Sequence, residues 1–213
     1  MHGAYTCLKD TKTLKQIVMK YIVLFPKILI ILNESIGLEL YPHMELHRKW
    51  YMDIYITYMW LPINIRKQFL KETGPIYQIA KSAMDESYRD NIQYHGENIL
   101  VIIEGLTMYL SENDIKKMFS IIDFKNSTVM VEVMVPFVVK HIKEKSIEGS
   151  HAKFTWGIKN GKELEKFLPT FSFLTEVSLV EGMKKLMPIY HVLSKIPFVY
   201  NISNKIVVLN NHN

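Results

Sequence analysis

Residues 101–119 read VIIEGLTMYLSENDIKKMF. An apolar run stops at a carboxylate, Glu104, followed by Gly105. A carboxylate at the end of a buried strand can accept hydrogen bonds from a ligand held beyond the sheet. It can equally be a solvated strand-end glutamate or a cap for nearby backbone amides. Other reactive groups are sparse. HMELH (43–47) puts His43 and His47 four apart with Glu45 between them. On a helix both rings would reach one metal ion. The glutamate, however, is out of register for H-E-x-x-H and no third ligand is evident, so a surface or interface pair is the simpler reading. Cys7 is the sole cysteine and has no neighbouring base. The chain contains no G-x-S-x-G elbow, no phosphate-binding P-loop and no G-x-G-x-x-G turn.

The elements around Glu104 alternate. IYQIAKS (76–82) reads as a short strand. ILVIIEG (99–105) is a continuous apolar run, as expected of a strand covered on both faces of a parallel sheet. Ser111 is placed to cap a helix, with Asp114 in the capping-box position. Ile115, Met118, Phe119 and Ile122 then form one apolar face at i, i+3, i+4 and i+7. TVMVEVM (128–134) reads as a further strand, followed by a helix from Pro136 towards Lys145. A short helix over 162–168, a strand over 171–180 and a final strand, KIVVLN (205–210), complete the series. This alternation predicts an open α/β sheet with right-handed crossovers, whose ligands bind beyond the carboxyl ends of the strands. Residues 1–74 read differently. They are rich in Met, Tyr and Leu, broken at Pro26, Pro42 and Pro62, and predicted to form a mainly helical lead-in or cap to a core over 75–213.

Composition narrows the function. The 213 residues are 48% hydrophobic and 22% charged, which suits one globular domain. The net charge of +5 comes from 26 basic residues, of which only Arg48, Arg66 and Arg89 are arginine. The lysines are spread along the chain, whereas a nucleic-acid reader clusters its charge and favours arginine for bidentate contacts. We therefore expect a solvated basic surface and no nucleic-acid partner. The apolar stretch 17–32 contains Lys20, Pro26 and Lys27 and is shorter than the ~20 residues of a spanning helix, so no membrane segment is expected. No signal peptide is evident, and one cysteine suits a reducing cytoplasm.

EGLTMYLSENDIKKMF (104–119) resembles the EG-x-x-x-YL-x-x-x-x-(I/V)-x-x-(L/M)-(L/F) segment of the leucine carboxyl methyltransferase family, including its tetracenomycin-type polyketide O-methyltransferase branch. IAKSAMDESY (79–88) is similar to the family's I-x-x-S-x-x-D-x-x-W, with Tyr88 in place of Trp. KFTWGIKNGKELEKF (153–167) resembles its F-x-W-G-I-x-x-x-x-E-L-E segment, and NISNKIVVLN (201–210) its terminal strand. The resemblance implies a Rossmann-like class I methyltransferase sheet and S-adenosyl-L-methionine as cofactor. It also implies methyl transfer to a carboxylate or hydroxyl oxygen of a small molecule. Carried over by position, Glu104 and Gly105 lie in the cofactor crevice, Ser82 and Asp85 line its adenine side, and Arg66 approaches the cofactor's carboxylate. Tyr109 falls near the methyl acceptor, or is a half-buried ring with a wet hydroxyl.

The family's glycine-rich turn, G-x-G-x-D-T-R, is not intact. SIGLELY (35–41) keeps Gly37 but has Ser35, Glu39, Leu40 and Tyr41 elsewhere in the pattern. Alternatively, 25–40 resembles the family's helical lead-in and 59–66 a later helix. On that placement residues 66–74 lead straight into the third strand and about fifty residues, with the first two strands, are missing. Either placement damages the cofactor site, and the second leaves the sheet incomplete. A second reading therefore stands beside the enzyme: an inactive, truncated relative that binds a partner or forms a homo-oligomer.

Overall fold

The computed structural model describes residues 28–33, 53–57, 76–141 and 153–211. Seven strands form one sheet: β1 (Ile28–Asn33), β2 (Asp53–Thr57), β3 (Ile76–Ile79), β4 (Ile99–Glu104), β5 (Ser127–Val133), β6 (Ser172–Ser178) and β7 (Lys205–Asn211). Their spatial order is β3-β2-β1-β4-β5-β7-β6. The first five are mutually parallel, and β7 runs antiparallel to both β5 and β6. Described helices are α1 (Glu112–Ile121), α2 (Pro136–His141), α3 (Gly161–Phe167), α4 (Val180–Leu186), α5 (Tyr190–Leu193) and α6 (Pro197–Ile202), with 3-10 turns at Glu86–Asn91 and Thr107–Tyr109.

The expected α/β, Rossmann-like sheet is present, but the expectation that it is incomplete is overturned. β1 and β2 both lie within 1–74, the stretch read as a helical lead-in, and both pair in the body of the sheet. Ile28 stands opposite Asp53 on one side and Ile99 on the other. The sheet thus crosses the boundary expected at residue 75. The reason is local: ILIILN is a short, continuous, β-branched run of the same kind as 99–103, and DIYIT alternates with the two-residue period of a strand. The passage straight from 66–74 into a third strand, with two strands lost, does not hold, because β3 pairs with β2. SIGLELY (35–41) accordingly follows β1 in the chain, where the glycine-rich turn belongs; its residues lie outside those described.

Packing follows the pleat. Ile99, Val101 and Ile103 of β4 join Val129, Val131 and Val133 of β5 and Val207 and Leu209 of β7 in one buried cluster. Ile115, Met118, Phe119 and Ile122 of the α1 segment cover it, as their spacing predicts. The capping box of α1 forms as expected: Asp114 N–H donates to Ser111 Oγ at 3.2 Å, and Ser111 N–H to Asp114 Oδ2 at 3.1 Å. Three helices between β6 and β7 were not legible in the sequence.

Candidate functional site

The parallel strands β1, β4 and β5 end on one edge of the sheet. Asn33, last residue of β1, is in register with Glu104, last of β4. Glu104 is only 5% exposed, so the carboxylate is inside the protein rather than in bulk water. Alternation puts it on the sheet face opposite Ile103, the face of Ile102 and Leu100. Gly105 then turns the chain with φ of 64°, the left-handed conformation that an L side chain resists.

A second carboxylate holds that turn. Glu132, 8% exposed near the end of β5, accepts the Gly105 N–H at Oε2 (3.1 Å) and the Asn204 side-chain amide at Oε1 (3.4 Å). Its backbone carbonyl accepts the buried Thr107 hydroxyl at 2.7 Å. Sequence reading took TVMVEVM only as a strand. The signal is a charge in an otherwise apolar and mostly buried run, which needs polar partners to be tolerated.

Tyr109 closes the 3-10 turn that follows. It is half-buried, with its ring 5.5 Å from that of Phe154. The 153–158 segment docks here as well: Thr155 and Trp156 N–H both donate to Met108 O, the Thr155 hydroxyl to Leu110 O at 3.0 Å, and Ile158 N–H to Met134 O at 2.9 Å. Gly157 makes this docking possible, since a Cβ there would lie 2.7 Å from Met134 O. The two stretches read separately in the sequence, 104–119 and 153–167, therefore meet at one edge.

Ser82 and Asp85 follow β3 and are both exposed. Asp85 caps the Glu86–Asn91 turn, its Oδ1 accepting Ser87 N–H at 3.0 Å and the Ser87 hydroxyl at 2.6 Å. Those bonds, the side-chain one foremost, hold its carboxyl below the usual 3.8. Ser82 Oγ accepts Met84 N–H at 3.2 Å. Glu104, Gly105 and Tyr109 thus lie on one short stretch of chain leaving β4, and Ser82 and Asp85 on a self-bonded loop that follows β3. Arg66, Cys7 and HMELH lie outside the described residues. Among the described residues no cluster of three or more His, Cys, Asp or Glu could hold a metal, and no helix is long and apolar enough to cross a membrane.

No family model matches the chain. A curated relative, the tetracenomycin polyketide synthesis O-methyltransferase TcmP of Streptomyces glaucescens, is 26% identical over 144 residues, covering 63% of this chain and 53% of that protein. The chain thus spans about half the length of the relative it matches. Two solved structures align over nearly the whole chain. One, described as a candidate methyltransferase of Thermobifida fusca YX, superposes with a TM-score of 0.63 at 10% identity, covering 97% of this chain and 83% of that one. The other, the 1,6-didemethyltoxoflavin N1-methyltransferase of Burkholderia thailandensis with bound S-adenosylhomocysteine, gives 0.59 at 8% identity, covering 98% and 81%. These likenesses establish the fold as that of class I methyltransferases.

Proposed function

We propose that the chain is an S-adenosyl-L-methionine-dependent methyltransferase acting on an oxygen of a small molecule, in the cytoplasm. The observation that carries this reading is Glu104: a carboxylate kept buried at the carboxyl end of β4, beside the end of β1, at the edge where such sheets receive ligands. The TcmP likeness supports oxygen as acceptor, and the class I fold supports the cofactor.

When bound, the cofactor would supply an electrophilic sulfonium methyl group for an acceptor oxygen, with S-adenosylhomocysteine as the leaving group. The chain's own work is to hold and orient. Glu104 accepts hydrogen bonds from the donor molecule's polar groups in a site from which water is excluded, where such bonds are strengthened. Gly105 leaves room for backbone approach. Asp85, its Oδ1 committed to Ser87, has Oδ2 to offer an adenine amino group, with Ser82 alongside; Arg66 follows β2 in the chain and loses its assignment to the cofactor's carboxylate, because the placement that gave it one required β1 and β2 to be missing. Tyr109 faces the acceptor side on this reading. Orientation of this kind is worth up to about 7–11 kcal/mol.

The alternative of an inactive partner-binding or homo-oligomeric relative loses one of its grounds, because β1 and β2 are in place. Its remaining ground is chemical: Ser35 and Glu39 replace turn residues, and β2 ends at Thr57 where the family has an acid for the ribose. Calorimetric titration separates the two. We expect S-adenosylhomocysteine to bind the folded wild type, and Glu104→Gln to weaken it by at least about tenfold, a loss near 1.4 kcal/mol. Absence of heat at millimolar cofactor, on protein shown to be folded, rejects the enzyme.

A further inference from the structure

We propose that Glu132 is a positioning residue of this site, setting the Glu104–Gly105 turn from the neighbouring strand; the inference rests on the functional reading above. Three observations converge on it. The last paired residues of β4 and β5 are Ile103 and Val131, so Glu104 and Glu132 come next on adjacent strands and, by alternation, on the same sheet face. Two carboxylates side by side are costly to bury, and a core strand with no polar duty would carry an apolar residue instead. The Glu132 carboxylate is also spent on backbone geometry: it takes the N–H of Gly105, the left-handed residue whose conformation decides where the chain leaves β4. Finally, the residue ties three elements into one frame. Its carbonyl holds Thr107, and its other carboxylate oxygen holds Asn204, whose own carbonyl accepts Leu179 N–H at 2.9 Å. The Glu132 side chain therefore links the turn bearing Glu104 to the approach to β7, while the backbone carbonyl of the same residue holds the start of the 3-10 turn bearing Tyr109.

The hydrogen bonds, rather than the charge, do the positioning. Glu132→Gln keeps an oxygen for Gly105 and, with the Asn204 amide turned over, a donor for Asn204. Glu132→Met fills the same space with no acceptor. A structural role alone would lower the melting temperature of Glu132→Met without changing the affinity of the molecules that remain folded.

The test measures S-adenosylhomocysteine affinity by calorimetry at a temperature where every variant is folded. The Gly105 amide is followed by nitrogen–proton NMR on the same samples. We expect Glu132→Met to bind at least about tenfold more weakly, since a displaced turn takes Glu104 out of line for its charge-assisted hydrogen bonds to the ligand. Its Gly105 amide should shift and exchange faster with solvent. Glu132→Gln should restore affinity to within about threefold of the wild type and keep the amide protected. Wild-type affinity in Glu132→Met, or an unmoved Gly105 amide, overturns the inference while leaving the functional reading intact. Failure of the wild type itself to bind overturns the functional reading, and the inference with it.

Discussion

At the scale of single residues, Tyr88 shows how a substitution leaves a physical trace. The resemblance puts a Trp at this position, and the tyrosine that replaces it is fully buried, with a hydroxyl that finds no partner among the described residues. Burial pushes its ionisation well above the usual 10.0. The proton is therefore held more tightly in the folded state than in the unfolded one. Stability from this group is complete below pH 10.0 and falls as pH rises past it, because only the unfolded chain ionises readily. Tyr88→Phe removes an unsatisfied buried group without opening a cavity. It should raise the unfolding free energy by roughly 1 kcal/mol at neutral pH and flatten the loss in alkali, as read by urea denaturation across the pH range. Asp85 and Asp114 act at the opposite end. Bonds to Ser87 and Ser111 lower both carboxyls below 3.8, so what they contribute is present above that pH and lost as acid protonates them.

At the scale of elements, α1 is plainly legible in the sequence. Its start, its apolar face and its capping box all follow from SENDIKKMFSII, because caps and helical spacing are short-range signals. Ser111→Ala should cost about 1 kcal/mol, seen as a lower denaturation midpoint with an unchanged slope. β4 and β5 were equally legible, because a strand covered on both faces reads as one apolar run. β1 carries the same signal, yet Pro26 and the Met- and Tyr-rich surroundings favoured a helix. Only its pairing with β4, 71 residues later by the Ile28–Ile99 register, decides the matter. Of the proposed site, Glu104 and Gly105 stand out in the sequence because the chain itself breaks pattern there. Glu132 could not be assigned a task, since its partners lie 27 and 72 positions away.

At the scale of the whole molecule, the far side of the sheet is fastened by charge as well as by packing. Lys205, 3% exposed at the head of β7, lies 3.2 Å from Glu176 of β6 and donates to Lys159 O at 3.0 Å. Glu176 in turn accepts the Gly161 N–H that opens α3. Breaking a buried pair on one side strands the other charge, at about 3–5 kcal/mol. Lys205→Met should cost less, about 2–3 kcal/mol, because Glu176 keeps water and the Gly161 amide. Adding Glu176→Gln should recover part of that loss in a double-mutant cycle.

β7 follows β6 in the chain but sits between β6 and β5. On a ribosome, β6 would therefore emerge with no neighbour to pair with, and β5 would present a bare edge, until residues 205–211 had been delivered. The β5–β6 half of the molecule closes like a zip whose slider is threaded last, so a nascent chain stalled short of β7 should be the form that needs chaperone cover.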